Sequence, residues 1–99
     1  MILEIARITV TPGREAEFEA GVEAAAPLFR GAKGCRAMSL RRSVETPETW
    51  LLMVEWDKLE NHMVDFRESE AFQTWRNLVS HCFAAPPQVE HAGHPQRFF

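Results

Sequence analysis

The feature that most constrains the fold is a β-strand pattern in which both faces of the strand are apolar. In residues 2–10, alternate positions place Ile8 on one face and Leu3 and Ile5 on the other. Residues 49–56 repeat the pattern and are the best candidate for a central strand. Helices of the same chain can cover one face of such a sheet. The other face therefore requires a second cover.

Helical spacing predicts one long helix after the first strand. Apolar residues recur at three- and four-residue intervals from Phe18 to Phe29, which marks one side of an α-helix. Pro12 suits the first helical turn, with Thr11 as its cap. We expect the helix to end near Gly31–Gly34, because glycine commonly follows the last helical residue.

The remaining strands follow from turn signals. Residues 35–44 and 49–56 have strand character and are joined by a turn at 45–48, so they predict a β-hairpin. Residues 88–92 are predicted to form a short final strand. We expect residues 93–99 to be a mobile tail, because proline and glycine interrupt them.

Two helical stretches lie between the hairpin and the final strand. Asp57 and Glu60 form a capping-box pattern at the start of the first, and Ser69 begins the second. The apolar side of the first helix consists of Leu59, Met63 and Phe66, with His62 beside it. The second helix carries Phe72, Trp75, Val79, Cys82 and Phe83. Pro86-Pro87 ends it.

The element order is β-α-β-β-α-β, which predicts a single α+β domain over residues 1–99 with a ferredoxin-like, four-stranded antiparallel sheet. Both helical regions are expected on one face of that sheet. The opposite face would present Leu3, Ile5, Leu51 and Met53. A monomer rarely exposes such an apolar patch, and packing two sheets across a two-fold axis removes it. We therefore predict a homodimer.

Charge and composition exclude several classes of partner. The formal net charge is −3 and the pI is about 5.8, whereas nucleic acids and anionic membranes favour a basic surface. No apolar run approaches the roughly 20 residues of a membrane span, and the acidic start of the chain is unlike a signal peptide. We expect a cytoplasmic protein whose two cysteines are free thiols, without structural metal.

The candidate site is a cluster of polar and aromatic residues near the end of the third strand. Trp56 ends that strand, His62 lies on the short helix, and Trp75 and Arg76 lie on the last helix. Because both helices must cover the sheet face toward which Trp56 points, we expect a pocket between helices and sheet. Motifs for phosphate loops, serine hydrolases and zinc proteases are absent.

Several segments resemble the antibiotic biosynthesis monooxygenase (ABM) family. The matching segments are Glu55 to His62, Phe66 to Phe72, Thr11-Pro12-Gly13 with Phe18, and Gly34-Cys35. The resemblance extends over about residues 2–92 and implies a dimeric α+β barrel. The superfamily that the chain resembles includes cofactor-free monooxygenases of aromatic or quinol substrates, haem-degrading oxygenases and isomerases.

The resemblance also implies site residues. Trp56 matches the pocket tryptophan of the polyketide-anthrone monooxygenases, and Arg76 matches their arginine. His62 stands where they carry a tyrosine that handles protons, and Leu52 stands where they carry an asparagine. The resemblance therefore implies catalytic roles for His62, Arg76 and Trp56, and no cofactor or metal. Substrate contacts are expected from Leu52, Met63, Phe66, Phe72 and Trp75.

Haem breakdown is not expected. The pocket asparagine of the haem-degrading members aligns with Ala6, and their axial histidine falls near Arg76. His62 and Arg76 suit a different chemistry, in which an aromatic substrate loses a proton and the resulting carbanion reduces O₂. Histidine, with an ordinary pKa of about 6.5, is a suitable base, and Arg76 can stabilise the negative charge that develops on oxygen.

The same residues allow a second reading. Trp56 can simply fill the core, His62 can be a hydrogen-bonded structural residue, and Arg76 can pair with Glu68 or Glu70 at the surface. Leu52 in place of asparagine and the absence of tyrosine favour an isomerase-like or non-catalytic dimer that binds a small metabolite. His91 and His94 are too close to the expected tail to indicate a metal site, and His81 has no evident partner.

Overall fold

The computed structural model describes all 99 residues and has the predicted order of elements. The strands are β1 (Ile2–Thr9), β2 (Cys35–Arg42), β3 (Thr49–Trp56) and β4 (Gln88–Ala92). The helices are α1 (Glu15–Arg30), a π-helix (Asn61–Phe66), α2 (Glu70–Val79) and a 3₁₀ turn (Ser80–Cys82). The predicted ferredoxin-like α+β fold is therefore confirmed.

The sheet is antiparallel throughout, with the order β2-β3-β1-β4. In the register of β1 with β3, Ile8 lies opposite Trp50 and Ala6 opposite Leu52. These four residues are buried with Phe18 and the other core residues of α1. The core is thus a single layer between one sheet face and the helices. None of the helices combines the length and apolar character that a membrane span requires.

No helix of the chain packs against the other face of the sheet. Leu3, Ile5, Leu51 and Met53 project from it and are only half-buried. This is the face on which the sequence predicts contact with a second copy. The dimer itself stays a prediction.

Two helix starts differ from the sequence prediction. The first helix begins at Glu15 and not at Pro12, because residues 11–13 form a turn in which Gly13 has a φ of +91°. Asp57 does not cap the short helix, since its carboxylate pairs with Arg36. That helix is instead held by the side chain of Asn61, which accepts a hydrogen bond from the backbone of residue 58.

The short helix also presents a different side to the core than predicted. Its backbone is π-helical: the amide of Arg67 donates to the carbonyl of His62, five residues earlier. This wider turn buries His62 and Phe66, while Leu59 is exposed and Met63 only half-buried. The predicted stripe through Leu59 and Met63 was therefore wrong, because it assumed α-helical periodicity.

Candidate active site

A cavity of about 260 Å³ lies between the helices and the sheet. Nine of its fourteen lining residues are hydrophobic, so its walls suit an aromatic or aliphatic ligand. The walls include Leu52 from β3, Phe29 from α1, Phe66 from the π-helix, and Phe72 and Trp75 from α2. Arg67 and Arg76 also line it, and their exposure places them on its open side.

A carboxyl group from β1 lies among these apolar walls. Glu4 lines the cavity, yet only 4% of the residue is exposed. The indole Nε1 of Trp56 donates a hydrogen bond of 3.0 Å to Glu4 Oε1. Burial raises the pKa of Glu4 to about 7, because a carboxylate loses most of its hydration there, and the bond from Trp56 opposes this only in part.

The second carboxyl oxygen of Glu4 has no hydrogen-bond partner in the protein. Among fully buried side-chain nitrogens and oxygens, Trp50 Nε1 alone lacks a partner. Glu4 Oε2 is therefore not fully buried, and since Glu4 lines the cavity, we infer that this oxygen faces it. One carboxyl oxygen is thus held by the protein while the other is available to a ligand.

The imidazole of His62 lies beside this carboxyl group. Its ring stacks on Trp56 at a centroid distance of 5.3 Å, and its Nε2 lies 3.3 Å from Glu4 Oε1. On the other side, His62 Nδ1 lies 2.8 Å from Nε2 of His91, which is in β4 directly opposite Glu4. Burial lowers the pKa of His62 to about 4, assisted by the charges of His91 and Arg67.

These two shifts define the charge state of the pair. A buried carboxyl group with a pKa of about 7 beside an imidazole with a pKa of about 4 is a neutral pair in mildly acidic solution. The low polarity of the site favours this neutral form over an imidazolium–carboxylate ion pair. The pKa of His91 is also lowered, first by burial and then by the charge of Arg67.

The structure brings together most of the residues selected from the sequence. His62, Arg76, Leu52, Phe66, Phe72 and Trp75 all line the cavity. Trp56 and Met63 do not. Trp56 is fully buried behind Glu4 and His62, so it acts on the cavity only through them. Met63 is displaced by the π-helical turn, where its sulfur lies 3.9 Å from Arg67 Nη1. Arg76 forms no ion pair with Glu68 or Glu70.

Three residues of the site, Glu4, His91 and Arg67, are not indicated by the sequence patterns above. Glu4 had a usable signal, because it is the one charged residue at the inward positions of residues 2–10. His91 was attributed to the weak His91–His94 pattern near the tail, whereas the structure places it in β4, beside His62. The position of Arg67 depends on the π-helix, which no sequence pattern indicated.

A possible metal-ligand group lies away from the cavity. Glu17, His81 and Cys82 bring their ligand atoms within 4.8 Å of one another, and His81 Nε2 lies 3.2 Å from Glu17 Oε2. Burial raises the pKa of the Cys82 thiol, which disfavours the thiolate that a metal ion requires. We interpret this group as a surface His81–Glu17 contact over a buried thiol.

The fold agrees with comparisons to known proteins. Residues 1–78 match the model of the antibiotic biosynthesis monooxygenase family. The uncharacterized protein YczJ of Bacillus subtilis is 38% identical over 91 residues, which are 92% of this chain and 96% of YczJ. A crystal structure of an ABM-family protein from Bordetella bronchiseptica is 56% identical, covers 96% of this chain and 97% of its own, and superposes with a TM-score of 0.94.

A more distant structure carries a described activity. It is a mutant of SnoaB, a cofactor-independent oxygenase of Streptomyces nogalater, and it has a TM-score of 0.81. It covers 98% of this chain and 95% of its own at 15% identity, so it supports the fold alone. The match to the family model extends over most of the chain, which shows that the chain belongs to the antibiotic biosynthesis monooxygenase family.

Proposed function

We propose that this protein is a cofactor-independent monooxygenase that oxidises a small aromatic, quinol-like molecule. The observation that carries the proposal is a largely apolar cavity into which one unpartnered carboxyl oxygen opens, beside a neutral histidine. Such a site can bind an aromatic molecule, and its carboxylate can accept an acidic C–H proton of that molecule. The described activity of SnoaB is consistent with the same chemistry on the same fold.

The proposed reaction balances without a cofactor. A C–H proton of the substrate passes to the Glu4–His62 pair, and the electron pair of that bond stays delocalised over the ring. The carbanion then reduces O₂ and binds it as a peroxide anion, which takes a proton back. Loss of water, with cleavage of the O–O bond and removal of the second proton from the same carbon, leaves a ketone. In sum, a CH₂ group and O₂ give a carbonyl group and water.

The remaining residues have supporting roles. Arg76 and Arg67, on the open side of the cavity, are placed to stabilise negative charge on a phenolate or peroxide oxygen. Leu52, Phe66, Phe72 and Trp75 hold the ring. Trp56 orients the carboxyl group of Glu4 through its indole N–H and supports the ring of His62 by stacking.

The size of the cavity restricts the substrate. A protein cavity of about 150 Å³ holds one benzene molecule, and this cavity measures about 260 Å³. We propose that the reacting part of the substrate is a one- or two-ring phenol or quinol, which reacts through its keto tautomer and so offers the CH₂ group that is oxidised. A larger polycyclic molecule would have to extend through the open side, past Arg67 and Arg76.

The proposal includes a homodimer. The half-buried apolar face of the sheet, on which Ile5 and Met53 lie opposite each other in neighbouring strands, would form the core of a two-fold contact. The cavity lies on the opposite face. Dimerisation is therefore expected to stabilise the sheet that positions Glu4.

An isomerase-like activity is the second candidate, and one observation favours it. Leu52, where the resembled oxygenases carry asparagine, lines the cavity with a purely apolar side chain. The site then retains a proton acceptor but lacks an amide to bind a peroxide. A buried base alone is enough to move a proton between two positions of a small molecule.

Oxygen uptake separates the two candidates. Chelator-treated protein should be mixed with a panel of phenols, quinols and anthrones containing one to four rings, and dissolved O₂ should be followed with an electrode. If the protein is a monooxygenase, O₂ should be consumed faster with protein than without it, and fastest with one- and two-ring compounds. Absence of uptake across the panel, with turnover of a substrate by proton transfer, would favour the isomerase.

A further inference from the structure

We propose that Glu4 is the catalytic base of this site and that its Oε2 atom takes the substrate proton, with His62 and His91 as positioning residues. This inference rests on the proposed function, because it assigns the proton-transfer step of that reaction to one atom. From the sequence alone His62 is expected to be the base, whereas in this proposal it is a positioning residue.

The two nitrogens of His62 are both engaged within the protein. Nε2 faces Glu4 Oε1 at 3.3 Å and Nδ1 faces His91 Nε2 at 2.8 Å. A substrate can reach a ring nitrogen of His62 only by displacing one of these neighbours. Glu4 differs, because Trp56 and His62 both face Oε1 and leave Oε2 free toward the cavity. Within this cluster, the atom that can accept a proton from a substrate is therefore Glu4 Oε2.

The groups that face Glu4 make it a base of suitable strength. His62 of the π-helix, His91 of β4 and Cys35 of β2 surround it, while Arg67 lies on the open side of the cavity. Burial raises the pKa of Glu4 to about 7, near the pH at which a general base combines availability with strength. His62 stays neutral beside it, so no buried cation neutralises the carboxylate.

The step itself is a simple proton transfer. The substrate C–H bond breaks, its proton bonds to Glu4 Oε2, and its electron pair remains in the aromatic system as an enolate. The carboxylate becomes a carboxylic acid, which later returns the proton to the peroxide. No oxidant takes part until O₂ reacts with the enolate, so the step can be observed without oxygen.

Anaerobic hydrogen–deuterium exchange tests the assignment directly. The probe is 2-tetralone, a two-ring ketone with an acidic benzylic CH₂ group, in D₂O without oxygen, and proton NMR follows loss of that signal. We expect the wild-type protein to accelerate exchange over buffer and Glu4→Gln to reduce the protein-catalysed rate about 100-fold or more. The matched control is Glu19→Gln, an exposed carboxyl group on α1 that does not line the cavity, which should exchange at the wild-type rate.

His62→Gln and His91→Gln separate positioning from catalysis. Both should keep part of the exchange activity but shift the pH at which the rate rises, because they change the surroundings of Glu4 and not the base itself. A second measurement does not depend on the folding of any variant. In the wild-type protein with ¹³C-labelled glutamate, one carboxyl carbon should titrate near pH 7 and shift when 2-naphthol is added.

The outcomes distinguish the two proposals. Retention of wild-type exchange by folded Glu4→Gln, or an unshifted Glu4 carbon in the presence of 2-naphthol, would overturn the role of Glu4 even if oxygen uptake is observed. Absence of both exchange and oxygen uptake in the wild-type protein would overturn the proposed function as well. Exchange by the wild type without oxygen uptake would leave Glu4 as the base of an isomerase.

Discussion

Folding should move a proton from His62 to Glu4 without changing the number of protons bound by the pair. Between about pH 4.5 and 6.5, the unfolded chain carries an ionised Glu4 and a protonated His62, according to their ordinary pKa values. In the folded protein, the pKa of about 7 keeps Glu4 protonated and the pKa of about 4 keeps His62 neutral. Each state holds one proton, so the pair adds no net pH dependence to wild-type stability in this range.

Single substitutions should reveal the separate contributions of Glu4 and His62 to the free energy of unfolding, which oppose each other in their pH dependence. For Glu4 the folded pKa is raised, so its contribution is fully present below pH 4.5 and is lost as the pH rises through about 7. For His62 the folded pKa is lowered, so its contribution is present above pH 6.5 and is lost as the pH falls through about 4. At about 1.36 kcal/mol per pH unit, each contribution changes the free energy of unfolding by roughly 3 kcal/mol across its range.

The assay is urea unfolding of the wild type, Glu4→Gln and His62→Gln at one protein concentration and a series of pH values. The stability of Glu4→Gln relative to the wild type should rise from about pH 4.5 to 7. That of His62→Gln should fall from about pH 4 to 6.5. His91 keeps its contact with His62 in the wild type and in Glu4→Gln, so its own lowered pKa cancels in that difference.

Two results would refute this reasoning. Parallel pH profiles for all three proteins would mean that neither group changes its pKa on folding. Differences of the opposite sign would mean that the folded protein holds an imidazolium–carboxylate ion pair. In that case Glu4 would not be a base of near-neutral strength.

Three further predictions concern the dimer, the π-helix and the cavity entrance. Ile5→Asp should reduce the sedimenting mass from about twice the 11.3 kDa of the chain to one chain, whereas Val64→Asp, at an exposed position, should not. Gly34→Ala should destabilise the protein by at least about 1–2 kcal/mol in thermal unfolding, because Gly34 has a φ of +78° and its Cβ would overlap the side chain that begins the π-helix. Gly93→Ala, where a Cβ meets no atom, should leave the melting temperature unchanged. Arg76→Ala should lower kcat more than it raises KM in steady-state assays, because Arg76 stabilises the negative charge that develops on oxygen during the reaction; an unchanged kcat would contradict this role.

Most of the fold could be predicted from the sequence because the strands and long helices follow regular periods. The alternation in β1 and β3, and the Ser69 cap of α2, are local signals that tertiary packing reinforces. The short helix could not be predicted correctly, because the hydrogen bond from Arg67 to His62 changes its period and buries a different side.

The candidate site could be predicted only where its residues follow a local period. Aromatic residues such as Phe72 and Trp75 reach the cavity through the α-helical period of α2. Glu4 and His91 meet because β1 pairs with β4, a contact between residues far apart in the chain. Local patterns do not report such a pairing, and the altered pKa values arise only after it has formed.

Isotope labelling of the product tests monooxygenase function directly. Chelator-treated protein should be incubated under ¹⁸O₂ with the one- or two-ring compound that consumes most oxygen, and the product should be analysed by mass spectrometry. We expect consumption of one O₂ for each substrate and one ¹⁸O atom in the new carbonyl group. A product without ¹⁸O, or turnover that continues at the same rate without oxygen, would contradict monooxygenase function.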